Sequence, residues 1–355
     1  MFARILYGRE GLLSWSCDLF YLFYLLGKNY FPKFPFSLYL LFSSACSVLS
    51  ISYSIASPAL YCTAIISGVC MMVWSLVCFF KSMQLEQEKF ASNLYLFLGA
   101  ILGALAFGCR PPVALANIVV LAVIYKILQN QLLYKKVKIK KILLVFAPYF
   151  VVGILLMLYN YARFDNVFEF GQSYQLTLAD QHMYRSFWET FDARKTIVAM
   201  FLNFYLVPSF SESFPFIQPC GVFFNFPVLL LAARVFSKNI SHILREKKLY
   251  SFSLLALFST VLITVFTVYW TPFLIERYHL DFYYILCIVS FIAAAAWLEY
   301  VSEEKKKLLI CFMVILLFAV YVVAFLFFCI PVDGSYTMYY PEVLKLIYGG
   351  LRFGL

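Results

Sequence analysis

Three groups of residues in this chain have the types and spacing to bind or act on an ionised substrate. The first is Arg110, in AFGCRPP, where a guanidinium sits beside two helix-breaking prolines. Its rigid fork of N–H donors matches the oxygens of a phosphate. An arginine at the edge of an apolar block can equally be an interface residue reaching for headgroups. The second is LIERYHLDF, which puts Glu276, Arg277, Tyr278, His279 and Asp281 within six positions. It can be a solvated helix start, where the negative charge of Asp281 is favoured, or a second phosphate site. The third, NYARFDNVFEFGQSYQL, mixes Arg163, Asp165 and Glu169 with aromatic rings, Tyr174 and Gln175. Aromatic faces for C–H surfaces, with carboxylates and amides for hydroxyls, suit a sugar or its acceptor. A loop packed on a membrane surface has the same composition. Asp18 stands alone near the middle of an apolar block, where a carboxylate is costly and functional by default.

The elements that must position these residues are set by composition. Of 355 residues, 64% are hydrophobic and 13% charged, about half the charged fraction of a soluble domain at roughly 25%. The apolar residues come in blocks of about 17 to 24, long enough to cross ~30 Å of hydrocarbon at about 1.5 Å per residue. A backbone in hydrocarbon must satisfy its own hydrogen bonds, so these blocks are helices, and the alternation of a membrane barrel is absent. The reading is an all-α, polytopic transmembrane helix bundle of about ten spans, near 11–27, 36–56, 60–80, 91–108, 112–128, 142–159, 220–236, 251–274, 281–299 and 308–330. It forms one membrane domain over 1–355.

Charge placement sets orientation. Lys126 to Lys141 holds six lysines and no acid, and Arg234 to Lys248 holds five basic residues against Glu246. Both are expected to be cytoplasmic. The net charge of +10 thereby belongs to membrane loops, and nucleic acid is not an expected partner. The segment 160–219 falls outside, with an interfacial or re-entrant helix over Thr196–Val207, and so do Arg110–Pro112, Glu276–Asp281 and the tail 331–355. The N-terminus, with Arg4 and Arg9, also falls outside, against the positive-inside tendency. Either the chain begins in the external loop of a longer protein, or one of the first two spans is misdrawn. The ten cysteines form no CxxC pair and read as small core residues.

SPALY (Ser57–Tyr61), FGCRPP (Phe107–Pro112), YNYARFDNVFEFGQSYQL (Tyr159–Leu176) and ERYHLDF (Glu276–Phe282) resemble, in order, landmarks of bacterial polytopic proteins similar to the GT-C glycosyltransferases. That superfamily includes protein mannosyltransferases and aminoarabinose transferases. The resemblance spans roughly residues 35–300. It implies an enzyme of the bacterial plasma membrane that moves a sugar from a polyprenyl-phosphate donor on the external face, with a divalent metal as a conceivable cofactor. Arg110 and Arg277 would hold the lipid phosphate. Arg163, Glu169, Tyr174, Gln175, Tyr278 and Asp281 would contact sugar or acceptor, and Glu10 or Asp18 would be the base. The acidic first external loop of those proteins is not recognisable here, Cys62 follows Tyr61 where Glu is frequent, and Asp165 replaces a usual Gly. The expectation is therefore binding with little turnover by this chain alone.

Two other functions fit an apolar helical chain: a transporter or flippase of lipid-linked saccharides, and a non-catalytic component of envelope assembly. Transport requires polar residues lining a path through several spans, and apart from Asp18 the blocks contain almost no ionisable residues. The orientation is directly testable. In a background stripped of accessible native thiols, cysteines at positions 180 and 335 should react with an impermeant reagent from outside, and cysteines at 138 and 245 should not. External labelling at 138 would reverse the orientation.

Overall fold

A computed structural model describes residues 18–56, 60–85, 89–130, 134–169, 171, 192–210, 220–270, 276–329 and 342. In chain order the elements are α1 (18–30), α2 (Phe36–Ala56), α3 (Leu60–Gln84) and α4 (Lys89–Cys109). A composite span follows, made of α5 (Pro111–Ala114), a 3-10 turn (Leu115–Val119) and α6 (Val120–Gln129). Then come α7 (Lys135–Phe164), α8 (Ala193–Tyr205), α9 (Val222–Asn225), a 3-10 helix (Pro227–Phe236) and α10 (Lys238–Glu246). The chain closes with α11 (Tyr250–Trp270), a 3-10 turn (Glu276–His279), α12 (Leu280–Tyr300) and α13 (Glu303–Cys329). No β-strand occurs among the described residues, and 8 helices are long and apolar enough to cross a membrane. The protein is an all-α, multi-pass membrane helix bundle.

These 8 helices coincide with eight of the ten expected spans. The other two, 11–27 and 220–236, meet shorter pieces. Only residues from 18 onward are described in the first, as α1. In the second, Pro227 follows Phe226, whose ψ of 76° breaks the helix, and ten residues then wind as a 3-10 helix. Such a helix rises about 2.0 Å per residue against about 1.5 Å for an α-helix, so these residues stretch over ~20 Å. They run beside α12 in the same direction. Phe226 meets Tyr283 edge-on at 5.4 Å, Ser290 Oγ donates to Leu229 O at 3.3 Å, and the Arg234 guanidinium lies 3.7 Å from the Trp297 ring centre.

At the centre stands α12, 94% buried over its apolar window. A helix that is hydrophobic all round belongs inside a bundle, and Ala293 to Ala296 allow its neighbours to come close. Around it pack α2, α3, α10, α11 and the 3-10 helix Pro227–Phe236. By contrast α7 is 11% buried and α13 28% buried. Phe150, Leu155 and Ile315 on these outer helices are exposed, as lipid-facing side chains should be.

Apolar helices gain little from meeting one another in lipid, so close approach and hydrogen bonds bind them. Antiparallel α3 and α4 use both. Ser82 Oγ donates to Ser92 O at 2.8 Å, Ser92 Oγ to Ser82 O at 3.0 Å, and Ser75 Oγ to Gly99 O at 2.6 Å. Gly99 and Gly103 form a GxxxG spacing that the sequence analysis passed over. A Cβ at Gly103 would overlap the Asn117 amide and the Tyr149 hydroxyl. Those two groups form a polar node in which Asn117 Nδ2 donates to Gly103 O (2.8 Å) and Ala114 O (2.9 Å), while Tyr149 OH donates to Asn117 Oδ1 (2.7 Å). The node joins α4, the composite span and α7.

The two lysine-rich stretches meet at one end of the bundle, where Lys126 shares one cavity wall with Lys248 and another with Lys141. Arg110 and the 276–281 cluster occupy the opposite end. There α8 is held by Phe204 against Phe282 at 5.7 Å. Its 13 residues reach only ~20 Å, too short to cross, and Ile197, Val198 and Phe201 are exposed along it.

Two glycines give opposite expectations. Gly103→Ala should lower the melting temperature in detergent and broaden the size-exclusion peak, because overpacking costs about 1–3 kcal/mol. Gly153→Ala, on α7 with nothing within 4 Å of its would-be Cβ, should be neutral or stabilising, by up to ~1 kcal/mol. Indistinguishable melting curves would contradict the tight α4 packing.

Candidate functional site

The strongest cluster of charged groups forms where the α4–α5 reversal meets the head of α12. After Cys109 the prolines at 111 and 112 cannot extend α4, but they suit the first positions of α5. Arg110 between them is extended, at φ −155° and ψ 101°, and occupies the apex of the reversal. Gly68 of α3 makes room for it, since a Cβ there would come within 3.1 Å of Arg110 Cβ.

From this apex the guanidinium grips Asp281 in the first turn of α12. Arg110 Nε donates to Oδ1 and Nη2 to Oδ2, both at 3.1 Å. The Asp281 side chain is 0% exposed and that of Arg110 21%. A buried carboxylate needs a partner of this kind, and the helix N-terminus adds favourable potential. The Tyr278 ring lies beside both arginines, 5.5 Å from Arg110 Cζ and 4.8 Å from Arg277 Cζ. Arg277 Nη2 also donates to Tyr278 OH at 2.8 Å. The structure thus gathers Arg110, Arg277, Tyr278 and Asp281. Two of Arg110's five N–H bonds go to Asp281, so the outer edge of its fork can still donate.

On the same turn, buried His279 is bonded through Nε2 to Asn203 Oδ1 of α8 and through Nδ1 to Tyr283 OH at 3.1 Å. The sequence analysis named His279 only as one of several ionisable residues and missed Asn203, Tyr283 and Gly68. A lone glycine in an apolar block was the one available signal for Gly68. Neither Asn203 nor Tyr283 differs in sequence from its many neighbours of the same type.

The other expected residues lie elsewhere. Asp18 is 1% exposed and accepts from Cys70 Sγ at 2.8 Å. Cys70 and Gly68 are two positions apart on α3, roughly 200° around a helix, so α3 stands between Asp18 and Arg110. Arg163, in the last turn of α7, lies over the Phe164 ring at 4.9 Å and donates to Tyr159 OH at 3.1 Å. Asp165 follows at φ 52°, a left-handed helix end where glycine is usual. Glu169 Oε1 accepts from Gly171 N at 2.7 Å, closing a local turn. Glu10, Tyr174 and Gln175 lie outside the described residues.

As to a metal, no three His, Cys, Asp or Glu side chains gather among the described residues, and among the described side chains of the cluster the carboxylate, Asp281, is engaged by Arg110. The described side chains of the cluster do not fit a metal site. Searched against protein-family models, curated proteins and solved structures, the chain has no significant match.

The ion pair should behave as a unit. Removing one partner from a buried pair costs about 3–5 kcal/mol, and the partial exposure of Arg110 lowers that cost. Arg110→Ala and Asp281→Ala should each lower the melting temperature clearly, whereas Arg110→Met with Asp281→Leu should recover most of the loss. Additive losses in the double variant would mean that the two side chains are not coupled.

Proposed function

We propose that this protein is a membrane glycosyltransferase, or a GT-C-like relative of one, that takes a polyprenyl-phosphate-linked sugar at the end of the bundle bearing Arg110. The observation that carries this reading is the convergence of two guanidiniums, Arg110 and Arg277, on the Tyr278 ring, with one of them held rigidly by Asp281. A sugar leaving a lipid phosphate transfers negative charge to the phosphate oxygens, and cations fixed in advance stabilise such charge most. In this scheme Arg277 and the outer edge of Arg110 hold the phosphate. Asp281 acts through Arg110 by fixing its orientation, and Tyr278 offers a flat face between the cations. The α7 end with Arg163 and Glu169 is the side from which sugar or acceptor would be met.

Binding tests this reading. The full chain in nanodiscs should bind a polyprenyl phosphate, and Arg277→Ala should weaken binding roughly ten- to a hundredfold, corresponding to about 1.5–3 kcal/mol for charge-assisted bonds. Arg110→Lys keeps the charge but loses the fork, and should weaken it as well. Unchanged affinity in both variants would leave these arginines as interface anchors and remove the support for a phosphate donor.

A further inference from the structure

The segment Pro227–Phe236 is made of residues that favour one winding and is held in another. Its sequence, PVLLLAARVF, is rich in leucine and alanine, which favour the α-helix, yet all 10 residues wind as a 3-10 helix. Runs beyond roughly three or four residues are uncommon, because the tighter hydrogen bonds are poorly aligned. Exposure follows the 3-10 period. Leu230, Ala233 and Phe236 are exposed, whereas Val228, Leu229, Leu231, Ala232 and Val235 are buried. Side chains three positions apart eclipse one another in this winding, so Arg234 stands in line with buried Leu231 and meets α12. In an α-helix it would share a face with exposed Leu230, four positions before it. The contacts with α12 select the stretched form. From Leu229 to Arg234 the 3-10 helix rises ~10 Å, and from Ser290 to Trp297 α12 rises ~10.5 Å. The Ser290–Leu229 bond and the Arg234–Trp297 stack therefore form together. An α-helix would cover only ~7.5 Å between Leu229 and Arg234 and would lose that register.

We propose that Pro227–Phe236 is a winding switch, clamped in the 3-10 form by the Arg234–Trp297 stack, whose relaxation to an α-helix moves α8 against the head of α12. Relaxation shortens the segment by ~5 Å. The far side of the segment is seated, since α10 packs on α11 and α12 through buried Ile240 and Leu244. The shortening therefore falls on the side of α9. There the backbone of Cys220 closes on the Asn225 side chain, and Gly221 N donates to Leu206 O at 2.8 Å. Phe223 packs on Phe204 and on Tyr205, each at 5.3 Å. Through these contacts α9 draws α8 with it. Asn203 of α8 is bonded to His279, in the short turn that also carries Arg277 and Tyr278. The switch thereby sets how α8 sits beside that turn, whether or not the turn binds a lipid phosphate.

Spin-label distances test this in nanodiscs, with the full chain stripped of accessible native thiols. Labels at Phe224→Cys and Asn239→Cys, both exposed positions, bracket the segment. Labels at Phe201→Cys and Tyr300→Cys, also exposed, report α8 against the far end of α12. Trp297→Leu removes the stack and should shorten the first distance by about 5 Å, with the second shortening as well. If that variant does not fold, Arg234→Gln decides by the same criterion. Phe236→Leu, on the exposed stripe, should keep both parental distances. Parental distances after loss of the stack, equal shortening in Phe236→Leu, or a shortened segment with α8 unmoved would each overturn the proposal.

Discussion

Asp281 is a carboxylate with no exposed surface, placed at the head of a helix that is itself enclosed on nearly every side. Such a group is sustainable only beside a cation, and Arg110 provides one through two parallel hydrogen bonds from a position 171 residues away in the chain. Much of the architecture at the Arg110 end follows from this pair. It pins the α4–α5 reversal to α12, and it requires Gly68 on α3 to leave space. It also fixes the short turn that presents Arg277 and Tyr278. His279, on the same turn, bonds α8 through Asn203, so the short helix is tied to the same anchor.

Away from that anchor the bundle is held by small residues and buried polar bonds rather than by hydrophobic preference, since lipid is as apolar as leucine. The serine bonds between α3 and α4, and the Asn117–Tyr149 node, lie beside Gly99 and Gly103, which have no room for a Cβ without displacing a neighbour. At the lysine-rich end, Lys247 Nζ ties α1 to α12 by donating to Tyr30 O at 2.6 Å and pairing with Glu299 at 3.0 Å. Lys141, in contrast, is buried against hydroxyls. The two ends thus treat charge differently. At one, an arginine is locked by an acid and oriented; at the other, lysines line two small cavities.

What the sequence determined by itself was the solvent and its consequences. Blocks of apolar residues long enough to cross hydrocarbon had to be helices, and clustered lysines at 126–141 and 234–248 had to share an end. The apolar stretch near 196–207 was too short to cross, and the helix there, Ala193–Tyr205, has only 13 residues. The charged clusters were visible as well, because charge in an apolar sequence stands out. Tertiary structure alone decided which of them meet. Nothing in the spacing joins Arg110 to Asp281, or puts α3 between Arg110 and Asp18. Nor does local sequence reveal that Pro227–Phe236 follows α12 as a stretched 3-10 helix. The deeper limit is that lipid and protein interior are both apolar. The α7 and α12 windows have mean hydropathies of 2.5 and 1.8, yet the first is 11% and the second 94% buried. Hydrophobicity tells a helix to leave water, and only packing against specific neighbours tells it whether to face lipid or the centre of the bundle.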